Sequence, residues 1–318
     1  MDKSIKIFVA GHRGMVGSSI VRLLQSKGYN NILRVPRFLL DLTRQDDVER
    51  FMEQERPEVV INCAAKVGGI HANNTYRAEF IYSNLQIQNN LIESSRIYEV
   101  NKFIFLGSSC IYPKFADQPI KEEYLLASPL EFTNEPYAVA KIAGIKMCES
   151  YYRQFGCNFL SVMPTNLYGP NDNFDLKNSH VLPALLRKFH EAHAYNYKDV
   201  EVWGTGKARR EFLHVDDLAS ACLFVLENVE AKNVYKQNIS HLNVGSGTDI
   251  SIGDLARLIA KITGFDGKIK FQLDKPDGTL RKLMDSSRIN QLGWSPSVSL
   301  EKGLERTLRW YKEKYPLK

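Results

Sequence analysis

Four short apolar runs without polar alternation, at residues 5–10, 31–35, 59–65 and 102–106, constrain the fold most strongly. A strand with one wet face alternates apolar and polar residues, so continuous runs imply strands covered on both faces. Helical patterns separate them. Residues 18–27 read as an amphipathic helix stopped by Gly28, residues 41–55 as a second with Pro57 just beyond, and residues 78–98 as a long third. This alternation predicts an α/β fold, a doubly wound parallel sheet (Rossmann) that binds ligands beyond the C-terminal ends of its strands. Past about residue 165 the pattern loosens into helices at 181–194, 216–228, 251–263 and 300–314, joined by short strands and Gly/Pro-rich loops. We therefore expect a Rossmann domain over residues 1–165, with 215–245 returning to its sheet. Residues 166–214 and 246–318 are expected to form a smaller C-terminal α/β substrate-binding lobe.

Composition narrows the function classes. No apolar run approaches the roughly 18 residues that span a bilayer, and Met1-Asp-Lys-Ser-Ile-Lys6 leads into a strand without the pattern of a secretory signal. Five cysteines, odd in number and without Cys-x-x-Cys spacing, predict neither a disulfide framework nor a zinc site, and so a reducing cytoplasm and no metal. The net charge of +6 is scattered rather than striped, which disfavours nucleic acid and suits a small polyanion.

Gly11-His-Arg-Gly-Met-Val-Gly17 lies between the first strand and the first helix. Glycines there permit a tight turn and close backbone approach, and the helix N-terminus offers free N–H groups to a pyrophosphate. The spacing is Gly-x-x-Gly-x-x-Gly, and a turn without a ligand is the plain alternative. The strand before and helix after favour a dinucleotide. A site for NAD usually carries an acid at the end of the second strand, where this chain reads Arg34-Val-Pro-Arg37 with no acid until Asp41. Arg13 and Arg37 suit a 2′-phosphate, which points to NADP(H); the alternative is two solvated arginines.

Gly107-Ser-Ser-Cys-Ile-Tyr-Pro113 closes the fourth apolar run, at a ligand edge of the predicted sheet. Alone it reads as a serine turn with a buried thiol. Tyr137-Ala-Val-Ala-Lys141 sets a phenol and an ammonium one helical turn apart, on one face. An ammonium nearby lowers a phenol pKa and prepares it to exchange a proton with a carbonyl. With 15 tyrosines about one such spacing arises by chance, and Tyr98-x-x-x-Lys102 also matches. That second match crosses a helix-to-strand connection and presents no single face.

The glycine loop, the serine-bearing strand end and Tyr137-x-x-x-Lys141 together resemble the extended short-chain dehydrogenase/reductase family. Longer strings narrow the resemblance to its GDP-sugar epimerase-reductases. These are Ala64-Ala-Lys-Val-Gly-Gly-Ile70, Asn134-Glu-Pro-Tyr-Ala-Val-Ala-Lys-Ile-Ala-Gly144, Pro164-Thr-Asn-Leu-Tyr-Gly-Pro170, Asn178-Ser-His-Val181, Arg210-Glu-Phe-Leu-His-Val-Asp-Asp217 and Pro276-Asp-Gly-Thr-Leu-Arg-Lys282. Leu280 and Arg77 depart from it, both standing where proline is expected.

The resemblance implies inversion of C3 and C5 of GDP-4-keto-6-deoxy-D-mannose, then reduction of its C4 ketone with NADPH. Ser108 would hold the substrate oxygen, Tyr137 would donate the proton, Lys141 would bind the nicotinamide ribose, and Cys110 and His180 would serve inversion as base and acid. Cofactor contacts would come from Gly11, His12, Arg13, Gly14, Met15, Val16 and Gly17, and from Arg37, Asp41 and Leu42. Leu106, Gly107, Ser108 and Ser109 would add to them, as would Lys141, Pro164, Thr165, Asn166, Leu167 and His180. Lys188, Trp203, Arg210 and Asp277 would bind the GDP moiety. The plain alternative for His180 is a cap on the helix that follows, and for Trp203 a core side chain. Rival functions are a reductase or epimerase-reductase for a related GDP-dideoxy-hexose or GDP-heptose, and a regulator that senses NADP without turnover. A homodimer is expected, with no nucleic-acid or membrane partner.

Overall fold

The computed structural model describes residues 1–176, 178–275 and 277–317. Its first half runs β1 (Ile7–Ala10), α1 (Met15–Ser26), β2 (Ile32–Leu33), α2 (Gln45–Glu55), β3 (Val59–Asn62), α3 (Ile70–Thr75), α4 (Arg77–Ile97), β4 (Lys102–Leu106), α5 (Glu135–Phe155) and β5 (Phe159–Pro164). The remainder runs β6 (Asn166–Tyr168), α6 (Val181–Ala194), β7 (Asp199–Trp203), β8 (Arg209–His214), α7 (Val215–Asn228), α8 (Ala231–Tyr235) and β9 (Leu242–Val244). It continues through β10 (Asp249–Ser251), α9 (Ile252–Thr263), β11 (Lys268–Gln272), β12 (Arg281–Lys282), α10 (Ser287–Gln291) and α11 (Leu300–Lys314).

Six strands form one parallel sheet in the order β2-β1-β3-β4-β5-β9. Successive side chains of β1 enter opposite cores. Ile7 and Val9 pack with α1 and α7, whereas Phe8 and Ala10 pack with α2, α4 and α5. That is why the strands read as unbroken apolar runs: both faces are dry, and each buried Phe or Ile contributes about 1.5–3 kcal/mol. The fold is doubly wound, and residues 242–244 extend the sheet at its β5 edge.

Beyond the C-terminal ends of these strands lies a second layer with its own core. There β8 pairs with β6, β10 and β12, and β7 pairs with β11. Leu185, Leu186 and Phe189 of α6 meet Leu255 and Ile259 of α9 and Leu304 of α11. No helix among the described residues is long and apolar enough to cross a membrane, and no group of His, Cys, Asp or Glu among them is arranged to hold a metal.

Local side-chain chemistry moves several boundaries. The apolar run at 59–65 stops being a strand at Asn62, whose Oδ1 accepts the N–H of Ala64 at 3.0 Å and turns the chain away. The helix expected from residue 41 begins at Gln45, because Asp41 accepts from the Thr43 N–H at 3.0 Å and its hydroxyl at 2.8 Å. That Asx turn competes with helix, as short acids do.

Candidate active site

The glycine loop is fixed by contacts that no side chain could share. Gly11 has φ +80°, and a Cβ there would lie 2.8 Å from the backbone N of Ala64. A Cβ on Gly17 would lie 2.7 Å from Gly11 C and 2.8 Å from the His12 Cα, so the first turn of α1 abuts the loop backbone. No side chain caps α1 at Gly14, and Gly14–Gly17 line a cavity of about 1180 Å³. Uncapped N–H groups at a positive helix end, in a cradle that a Cβ would fill, fit a pyrophosphate.

Every residue expected to meet the cofactor lines this one cavity, from the loop through Arg37, Asp41 and Leu42 to Leu106–Ser109, Lys141, Pro164–Leu167 and His180. Arg13 and Arg37 stand exposed at its rim, with the Arg13 guanidinium 5.9 Å from the ring centre of Phe38. Phe38 is itself 77% exposed, an aromatic face open to the cavity that the sequence reading did not single out.

At the other end, Ser108 leaves β4 in an extended conformation and heads a short turn over residues 109–111, its Oγ accepting the Cys110 N–H at 3.5 Å. Pro136 in the first turn of α5 places Tyr137 at the helix start, where Phe80 of α4 meets its ring edge-on at 6.3 Å. Lys141, 3% exposed, donates to the Leu106 carbonyl at 2.8 Å, and its Nζ is 5.8 Å from the Tyr137 ring centre. Burial pulls the Lys141 pKa down to about 8, opposed by Cys110 and Cys63. The expected lowering of the phenol pKa is not what the geometry gives. Burial raises the Tyr137 pKa, as does Cys110, and only the hydrogen bond with Ser108 opposes them. The phenol is therefore protonated at neutral pH, as a proton donor must be.

Cys110 is 8% exposed, just behind the cavity wall, and burial raises its thiol pKa against Lys282, Ser108 and Lys141. His180 occupies the N-cap position of α6, but its side chain makes no capping hydrogen bond. It lines the cavity instead, its surface open to that recess, and desolvation by the surrounding walls together with Lys282 lowers its pKa. Lys282 thus acts electrostatically on both Cys110 and His180. In the sequence it stands at the end of the 276–282 string, whose first residue, Pro276, lies outside the described residues. Lys282 pairs in register with Arg210 across β12 and β8.

The four residues expected to bind GDP lie outside the main cavity, in a second cluster. Trp203 is 58% exposed, so it is no core side chain, and the Lys188 Nζ lies 6.0 Å from its ring centre. Lys188 also donates to the Glu201 carbonyl at 3.0 Å. Asp277 accepts from the Thr205 N–H and hydroxyl, both at 2.7 Å, and Arg210 donates to the carbonyls of Thr279 at 2.5 Å and Asp277 at 3.4 Å. Asp277, expected to bind the GDP moiety, uses its carboxylate to brace the turn that follows Trp203. The Lys282–Arg210 pairing joins this cluster to Cys110 and His180.

A family model described as "NAD dependent epimerase/dehydratase family" matches residues 7–245. The chain is 59% identical over 310 residues to GDP-L-fucose synthase 1 of Arabidopsis thaliana, covering 98% of this chain and 94% of that protein. It is 54% identical over 312 residues to GDP-L-fucose synthase of Escherichia coli K12, covering 97% of each. Among solved structures it is similar to a GDP-mannoheptose C4 reductase from Campylobacter jejuni with NADP bound. That likeness has a TM-score of 0.90 at 42% identity, covering 98% of this chain and 99% of that one.

Proposed function

The chain belongs to the NAD-dependent epimerase/dehydratase family, whose members use a nicotinamide cofactor, and on that premise we propose that it converts GDP-4-keto-6-deoxy-D-mannose to GDP-L-fucose. It is an epimerase-reductase that inverts C3 and C5 and then reduces C4. The observation that carries this reading is a thiol, Cys110, next to the Ser108–Tyr137–Lys141 set at the end of β4, with His180 lining the same cavity and Lys282 acting on both. A plain reductase has no use for the thiol.

The glycine loop would hold NADPH with Arg13 and Arg37 near its 2′-phosphate, and the bound cofactor would supply the hydride for C4. The protein does the rest. Ser108 and Tyr137 donate hydrogen bonds to the C4 oxygen, which makes the protons on C3 and C5 acidic and stabilises the enolate left when one is removed. Inversion needs a base on one face of the sugar and an acid on the other, roles that fall to Cys110 and His180. The raised thiol pKa and lowered imidazole pKa make thiol and neutral imidazole the resting forms, so loss of the thiol proton and gain of one by the imidazole precede each inversion. Each inversion leaves the base protonated and the acid deprotonated, and exchange with solvent restores both. Tyr137 finally gives its proton to the C4 oxygen, while Lys141 would hold the cofactor ribose. Lys188, Trp203, Arg210 and Asp277 would seat the GDP moiety, with cations toward the diphosphate and the indole toward the base. The Rossmann half (1–165 with 215–245) then carries the cofactor and the remaining lobe the nucleotide sugar. We read the protein further as a cytoplasmic homodimer, joined through α4 and α5.

The likeness to a heptose C4 reductase supports a second reading, a reductase for a related GDP-4-keto sugar. Incubation with GDP-4-keto-6-deoxy-D-mannose and NADPH separates the two. The proposal predicts NADPH consumption and GDP-L-fucose as product. A C4-reduced sugar without inversion, turnover confined to a heptose, or tight NADP binding without turnover would each overturn it.

A further inference from the structure

One string remains without a role, Ala64-Ala-Lys-Val-Gly-Gly-Ile70, the turn that follows β3. Its backbone is held from behind by two buried amides. Asn84, 2% exposed, accepts the Lys66 N–H at 2.9 Å and donates to the Lys66 carbonyl at 3.0 Å. Asn73, 6% exposed, donates to the carbonyls of Gly68 at 2.6 Å and Gly69 at 3.0 Å. Gly68 closes onto α3 and α4, since a Cβ there would lie 2.9 Å from Ala72 Cβ and 3.2 Å from the Phe80 ring. Phe80 is the same side chain that meets Tyr137 edge-on.

The front of the turn meets the other lobe. The Gly69 N–H donates to the Asn178 carbonyl at 3.0 Å, and a Cβ on Gly69 would lie 3.0 Å from the carbonyl oxygens of both Asn178 and Ser179. Asn178 and Ser179 immediately precede His180, and Asn178 is anchored on its own side by Asp175, through its N–H at 2.9 Å and its amide at 3.0 Å. The His180 side chain caps nothing, so its place in the cavity follows that of this strap.

We propose that the Gly68-Gly69 turn is a positioning element for His180. It latches the 178–180 strap to the cofactor domain and thereby governs inversion of the sugar more than reduction. The inference rests on the reading of His180 as a proton carrier in inversion. Glycine is required at 69 because the two backbones touch, and Asn73 and Asn84 make the latch stiff. A shift of the strap by a few tenths of an ångström alters proton transfer at C3 and C5, whereas hydride transfer depends on the glycine loop and Tyr137.

Three variants test it: Gly69→Ala, which crowds the strap; Asn73→Ser, which loosens the turn from behind; and His180→Gln as reference. For each, deuterium uptake at C3 and C5 from heavy water is measured with NADP bound and no NADPH, together with NADPH affinity and product composition with NADPH. The expected result is a loss of about tenfold or more in deuterium uptake in both latch variants. NADPH affinity should fall far less than uptake does, and part of the C4-reduced product should lack inversion. Uptake that is unchanged, or that falls only in step with NADPH affinity, overturns the latch. If Gly69→Ala does not fold, Asn73→Ser alone decides. If His180→Gln leaves uptake intact, it is the assignment of His180 that fails.

Discussion

Replacing Lys141 with methionine should sharply reduce turnover without destabilising the ligand-free protein, because the site keeps this ammonium against the preference of the fold. Burial lowers its pKa from 10.5 to about 8. At about 1.4 kcal/mol per unit, the charged form costs the folded state about 3 kcal/mol at neutral pH. Methionine has a similar reach and no charge, so Lys141→Met removes that cost. It also leaves the Leu106 carbonyl without its 2.8 Å donor, a penalty of about 1–3 kcal/mol. At pH 7 the variant should therefore be as stable as the parent or slightly more so. The folded parent binds fewer protons than the unfolded chain between the two pKa values. Its stability consequently rises with pH from about 8 to 10.5, and this contribution is absent from the variant. Between pH 7 and pH 10 the stability difference should move toward the parent by about 2–3 kcal/mol. Urea titration of both proteins without ligand at the two pH values measures this. Turnover at pH 7 should fall by about a hundredfold or more. A variant that loses more than about 2 kcal/mol at pH 7, or a difference independent of pH, would refute the reasoning and mark Lys141 as a structural cation.

Arg37→Ala and Arg13→Ala should each weaken NADPH binding by about tenfold to a hundredfold, the worth of a charged hydrogen bond, and leave NADH binding unchanged; fluorescence titration with both cofactors is the check. Cys110→Ser should slow deuterium entry at C3 and C5 by about 10²–10⁴-fold with NADPH affinity intact, and equal loss of both would make the thiol structural. Arg77 donates to the Phe132 carbonyl at 2.7 Å and pairs with Glu135 at 3.5 Å, bracing the start of the helix that carries Tyr137. Because proline suits the first helical position and the ion pair is partly exposed, Arg77→Pro should change stability by no more than about 1 kcal/mol. A larger loss in urea would show the brace to be stronger than its exposure suggests.

What could be foreseen from sequence was what local chemistry dictates. The glycine loop is legible because a tight turn against Ala64 and a helix abutting Gly11 admit no other residue, whatever the rest of the chain does. The sheet is legible because strands buried on both faces must be apolar throughout. Strand and helix ends were misjudged where a single polar side chain intervenes, as Asn62 does after β3 and Asp41 before α2. The long-range partners left no local trace. Lys282 reaches Cys110 and His180 only because β12 pairs with β8. Glu211, fully buried in that same β8, has its carboxylate held by the N–H groups of Gly247 at 2.8 Å and Met284 at 3.0 Å, donors 36 and 73 residues away. Asn73 and Asn84 read as ordinary helix residues until the turn they hold is seen against the strap before His180. The phenol of Tyr137 was misread for a similar reason, since spacing brings an ammonium close but does not reveal how dry the site is.

The central claim is that Cys110 and His180 make this chain an inverting enzyme as well as a reductase. One incubation of the protein with GDP-4-keto-6-deoxy-D-mannose and NADPH in heavy water, with the product analysed by NMR, tests it directly. The expected product is GDP-L-fucose carrying solvent deuterium at both C3 and C5. A GDP-6-deoxy-sugar reduced at C4 with neither carbon labelled would contradict it.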